Sequence, residues 1–167
     1  MKKITFILLA LIGGTSFAQD GPASASGTAD VNAVIVSPIE INDGTALNFG
    51  TINGTATGGD VTVSNGGNRT FSNSDMEITS ATAITAASFN ITAADTYSYS
   101  ISIPDTVLKG SGTDDMAVTF THSRIGAAKR VGDGTAQELL VGGTLTVNDG
   151  QTSGEYTGSV KVTVAYE

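Results

Sequence analysis

The chain has 167 residues, 16 acidic against 8 basic, for a net charge of −8, with one histidine, no cysteine and no tryptophan. An acidic surface of this kind repels nucleic acid and anionic lipid. The missing thiol excludes a disulfide framework, cysteine-ligated zinc, thiol catalysis and lipid attachment through an N-terminal cysteine.

Residues 1–18 read as a secretory signal peptide: Lys2 and Lys3, an apolar run from Ile4 to Ile12, then Ser16-Phe17-Ala18 as the cleavage signal. The expected exported chain begins at Gln19 and passes through the periplasm to the extracellular space or cell surface. The apolar run is shorter than the ~20 residues that span a bilayer. No second such stretch follows, so the reading is not membrane-spanning. Residues 19–28 are small, polar and Gly/Pro-containing, the composition of a flexible segment. Residues 29–167 have the size of one domain.

Within 29–36, Ala29, Val31, Ala33 and Ile35 alternate with more polar neighbours, as in a strand, and Ile39 and Ile41 continue the register past Pro38. Further strands are expected at LNFGTI (47–52), DVTVS (60–64), MEITS (76–80), SFNITA (88–93), TYSYSISIP (96–104), MAVTFTH (116–122) and LLVGGTLTV (139–147). In TYSYSISIP, Tyr97, Tyr99, Ile101 and Ile103 share one face and Ser and Thr the other. A final strand is expected from Tyr156 to the last residue, Glu167, with Val160, Val162, Val164 and Tyr166 on one face. Asn53-Gly54, Asn65-Gly66, Asp133-Gly134 and Asp149-Gly150 suit the positive backbone angles of hairpin turns. No helical period intervenes. The pattern predicts an all-β, antiparallel immunoglobulin-like β-sandwich.

Chemistry-bearing motifs are sparse. His122 lies on the apolar face of its strand without an evident acid or nucleophile, and reads as a core-edge residue. VGDGTAQ (131–137) lacks the third glycine and the helix of a phosphate loop. Asp114-Asp115 and the Asp-Gly turns have no EF-hand spacing. A paired-carboxylate hydrolase finds no support in the acids that the strands carry. Asn53, Asn68 and Asn90 begin glycosylation triplets, and Asp105-Thr106-Val107 resembles a short bacterial O-glycosylation motif with Thr106 as acceptor. No catalytic, cofactor-binding or metal-binding residue is assigned, and the expected protein is not an enzyme.

The order ADVNAVIVSPIEIN…LNFGTI at the start, and LLVGGTLTV…GEYTGSVKVTVAYE at the end, resembles a family of small secreted bacterial proteins known as a domain of unknown function. It is more distantly similar to the spore coat U domain and to archaic chaperone–usher pilins. Those pilins carry a cysteine after the first strand, where this chain reads Ser37-Pro38. The resemblance implies a pilin-like sandwich that lacks its last strand, and a fimbrial or surface subunit that assembles by β-strand complementation. Ala29, Val31, Ala33 and Ile35 would then form a donor strand, and Val160, Val162, Val164 and Tyr166 the acceptor edge. Implied partners are further copies of the chain, a periplasmic chaperone and an outer-membrane usher. The alternation itself fits a strand paired in cis equally well. The alternative function is a monomeric secreted sandwich that binds glycan or protein through the loops NGTATGGD, LKGSGTDD and IGAAKRVGDG.

Overall fold

The computed structural model describes residue 21 and residues 24–110 and 114–167. The signal-peptide reading and most of 19–23 lie outside the described residues. The chain divides into two units after Val34. The described residues up to that point hold no regular secondary structure, and Ile35–Glu167 carry every strand.

The fold is an all-β antiparallel sandwich, with ten strands among the described residues: β1 (Glu40–Asp43), β2 (Gly59–Val63), β3 (Arg69–Phe71), β4 (Ala87–Thr92), β5 (Tyr99–Ser102), β6 (Thr106–Gly110), β7 (Met116–His122), β8 (Ala136–Val147), β9 (Tyr156–Thr157) and β10 (Thr163–Tyr166). The larger, curled sheet runs β1-β4-β8-β7-β6-β9, with β2 also on β8 and β3 on β2. The smaller sheet is β5 paired with β10. Among the described residues no helix is long and apolar enough to cross a membrane.

Long β8 organises the large sheet by changing neighbours midway. Its first half pairs with β4, from Ala136↔Thr92 to Val141↔Ala87; its second half pairs with β2, from Gly143↔Val63 to Val147↔Gly59. Gly142-Gly143 mark the exchange. A Cβ on Gly142 would collide with the carbonyl oxygen of Val63, so only glycine lets β2 approach there.

Alternation then divides the interior into two cores. One is closed on both sides: Phe89, Ile91, Leu139 and Val141 of the large sheet meet Tyr99, Ile101, Val164 and Tyr166 of the small one. The Tyr99 hydroxyl donates to Gln137 Oε1 (3.0 Å), which satisfies the only polar group of a fully buried ring. The other core, built on Val61, Val63, Met116, Val118, Leu145 and Val147, is covered on its far side mainly by irregular chain. Leu47 and Phe120 touch both.

Several expected elements take another form. LNFGTI makes only an isolated bridge, Asn48 with Thr85. MEITS forms no strand; Ser74–Met76 is a 3-10 turn that drives Met76 fully into the core. Strands β3 and β6 lie outside the expected set, because three residues between Asn68 and Ser72, and a Thr-Val-Leu-Lys-Gly run, show too little alternation. Residues 24–39, including the expected strand 29–36, belong to no strand. The β2–β3 hairpin closes over Ser64–Asn68 with its positive φ at Gly67 rather than at Asn65-Gly66, and Asn53-Gly54 takes no positive φ, while Gly134 and Gly150 take positive φ as expected. The final strand is split, with β9 on β6 and β10 on β5.

Gly142→Ala is expected to cost about 1–3 kcal/mol by forcing β2 off β8. Gly66→Ala, where a Cβ meets nothing closer than 3.8 Å, should stay within about 0.5 kcal/mol. Urea unfolding of the two variants checks the pair.

Candidate functional site

The open side of the second core is a cleft of about 730 Å³. Its floor is the inner face of β6, β7 and β8: Leu108, Met116, Val118, Phe120, Leu145 and Val147. One wall is residues 46–52, with Leu47, Phe49 and Ile52 turned inward; the other is 153–160, with Tyr156 and Val160. Met116, Val118 and Leu145 are only 6 %, 1 % and 1 % exposed, so the walls stand close together over the floor.

The two walls are held differently. Asn48 exchanges backbone hydrogen bonds with Thr85 (2.8 and 3.2 Å). Arg69 then clamps the same wall from behind: its Nη1 donates to the carbonyls of Phe49 (2.8 Å) and Thr51 (2.7 Å), its Nη2 to that of Ile78 (2.9 Å). The guanidinium also stacks 4.6 Å over Phe71. The opposite wall is anchored at its ends. Tyr156 Oη receives from Gln151 (2.8 Å) and donates to the Thr152 carbonyl (2.7 Å), and its ring lies against Gly110. Between β9 and β10, among the described residues, 158–162 enter no ladder with a neighbouring strand. A run of unpaired backbone beside an apolar floor is a template for an added strand.

The residues singled out from sequence fall in different places. All four residues of the expected acceptor edge, Val160, Val162, Val164 and Tyr166, pack against the closed core, and of them only Val160 also lines the cleft. Val164 pairs with Ile101, and Tyr166 with Tyr99. Ala29, Val31, Ala33 and Ile35 are all exposed, Val31 at 94 % and Ile35 at 97 %. Thr106 is half-buried in β6 and lines the cleft. Asn53 and Asn68 are exposed in loops, and Asn90 is exposed on β4. Arg69 escaped the sequence reading because a lone arginine in a short polar strand carries no signal; the floor of β6–β8 was legible only as alternation.

His122 sits half-buried at the end of β7, opposite Val141, with Nδ1 lacking a hydrogen-bond partner. Burial, and secondarily the Arg130 cation, hold its pKa below the ordinary value of 6.5. Among the described residues no carboxylate orients it, so it lacks the setting of a general base. Among the described residues, no group of three or more His, Asp and Glu side chains could hold a metal ion. Asp114, Asp115 and Asp149 surround a shallow polar hollow with Asn148 and Gln151. Lys109 pairs with Asp115 there.

Arg69→Met removes the guanidinium, with its stack on Phe71 and its bonds to three carbonyls, and should lower stability by about 2–3 kcal/mol in urea unfolding; Arg69→Lys should recover only part of it. Because His122 titrates lower folded than unfolded, the unfolded chain binds more protons just below pH 6.5. Its contribution is therefore lost as pH falls from the ordinary histidine range towards the depressed folded value. Thermal midpoints of His122→Gln and the parent should converge across that window.

No curated protein and no solved structure matches the chain significantly. A family model does match, over residues 39–166, a span that starts just after Pro38 and takes in all ten strands together with both walls of the cleft. By that match the chain belongs to the family described as Domain of unknown function (DUF4402).

Proposed function

We propose that the protein is a non-enzymatic structural subunit of an exported assembly, in which residues 29–36 of one copy fill the cleft of the next. The carrying observation is the cleft itself: an apolar floor beside a wall whose residues 158–162, among the described residues, pair with no strand. An added strand would complete the small sheet there, with main-chain bonds along the wall and alternate side chains on the floor. The chain carries a segment of matching character. Ala29, Val31, Ala33 and Ile35 give a continuous apolar face, and wall 46–52 is about as long as a seven-residue strand. Insertion has to part the walls, and beyond the Tyr156-Thr157 ladder the 158–160 side, among the described residues, has no strand partner to hold it.

Chain reach favours donation between copies over closure in cis. The Ser37 carbonyl accepts from the Tyr166 hydroxyl (2.9 Å), at the far end of β10. The cleft begins at Ala46 and Val160, about six residues of extended chain away, or roughly 20 Å. Residues 36–31 are consumed in covering that distance. Only Ala29 and the small polar run before it would arrive, and the apolar face would fall short. Export, a periplasmic chaperone and an outer-membrane usher enter this reading through the resemblance to pilins.

The test is electrophoresis in SDS without boiling, with light scattering, on the parent and on Val31→Asp/Ile35→Asp. The parent should give SDS-resistant multimers and the variant none, with a thermal midpoint unchanged within about 2 °C because both sites are exposed in the single copy. A synthetic peptide of residues 28–37 should stabilise the variant by about 2.7 kcal/mol at a hundredfold excess over its dissociation constant. A variant that unfolds, or a peptide without effect, returns the segment to a role within its own domain.

A further inference from the structure

The cleft has two ends of opposite charge. Beyond Val160 stands Lys161, exposed. At the other end the exposed acids Asp114, Asp149 and Glu155 gather around Gln151 and Gly154, with Asp60 nearby, where Thr146 donates to its carboxylate. The proposed donor segment carries one charge, Asp30, near its start. Its carboxylate is favoured beside Lys161 and disfavoured beside Glu155, so the segment lies with Ala29 towards Val160 and Ile35 towards Tyr156.

That direction brings the donating copy to the acidic end, and close. Ile35 in the cleft and Ser37 on its own Tyr166 are two residues apart, a span of about 7 Å. The end of the donor that carries Ser37 must therefore abut the acidic rim. At that end β7 turns into β8 through Ser123–Val131, and Tyr99, the register partner of Tyr166, donates from its N–H to the Arg130 carbonyl (2.9 Å). This loop holds Arg124, Lys129 and Arg130, three of the chain's 8 basic residues, and no acid. Ile125 at its tip is 70 % exposed. Asp95, Asp133, Glu138 and Glu167 share that end of the sandwich but lie outside the loop, Glu138 with its carbonyl accepting from Arg124 Nε (2.9 Å). The basic loop and the acidic rim stand at opposite ends of β8, roughly 36 Å apart within one copy, too far to neutralise each other.

We infer that the Arg124–Arg130 loop of the donating copy docks on the acidic rim formed by Asp114, Asp149 and Glu155 of the receiving copy, a second contact that steers strand insertion. The inference rests on the strand-exchange reading, and the charge signs at the two ends decide its geometry. With the segment reversed, Asp30 would face Glu155 and the basic loop would face Lys161, like charge against like at both places.

The experiment follows multimer growth of the purified protein by light scattering at about 50 and 500 mM NaCl, for the parent, Lys129→Glu, and a triple variant that adds Asp149→Lys and Glu155→Lys. Among the described residues the Lys129 side chain makes only a long 3.5 Å contact to the Ser123 carbonyl, and its other bonds are to the backbone, so its exchange should leave folding intact. Expected are a parent rate about tenfold slower in high salt, a Lys129→Glu rate about tenfold slower in low salt, and recovery in the triple variant. Growth at one rate regardless of salt and charge overturns the docking contact and leaves strand exchange standing. Salt-sensitive association that persists in Val31→Asp/Ile35→Asp supports the loop–rim contact and removes the strand. A parent that stays monomeric in both salts overturns both.

Discussion

The last ten or so residues of this chain have to serve two neighbours. Tyr156-Thr157 pair with β6 in one sheet, and Thr163–Tyr166 pair with β5 in the other. A strand that crosses between sheets cannot hold a ladder while it crosses, and residues 158–162 bear that cost. Every other feature of the cleft follows from this crossing. The half of the sandwich beyond it, around Tyr99 and Leu139, has two sheets and closes. The half before it has one sheet and irregular chain, and its inner face is left with a seam.

What keeps the seam from collapsing entirely is the asymmetry of its walls. Arg69 and the Asn48–Thr85 bridge fix residues 46–52 to the large sheet. Charge-assisted bonds to carbonyls are among the stronger that a half-buried arginine can make. The facing wall depends on Tyr156, its bonds to Gln151 and Thr152, and the space left by Gly110. One wall is rigid and one is hinged at its ends. On the proposed strand exchange, register would be set by the fixed side and entry by the other.

Chemistry elsewhere in the molecule is quiet by comparison. The lone histidine is half-buried beside a cation, and the acids gather at loops rather than in a pocket with a base. Membership of a family of unknown function adds no activity to this. What the described residues offer is an open apolar cleft beside unladdered backbone, with Arg124, Lys129 and Arg130 grouped in one loop.

Alternation alone located the main strands β2, β4, β5, β7, β8 and β10, because a strand with one wet face writes its period of two directly into residue order: Tyr99-Ile101 and Val118-Phe120 are examples. Composition added the absence of thiols and the acid excess, and the same alternation marked an apolar face at 29–35. Both were silent on partners. Nothing local says that β8 leaves β4 for β2 at Gly142, that Leu47-Asn48-Phe49 is a wall rather than a strand, or that of Val160 and Val162, two residues apart on one face, only Val160 also borders the cleft. Those depend on which backbone lies within hydrogen-bonding distance, a property of packing between segments tens of residues apart. Residue order was enough to say which faces are apolar, since that is a local property of each strand. Which of those faces meet, and that one seam stays open between them, was settled by packing.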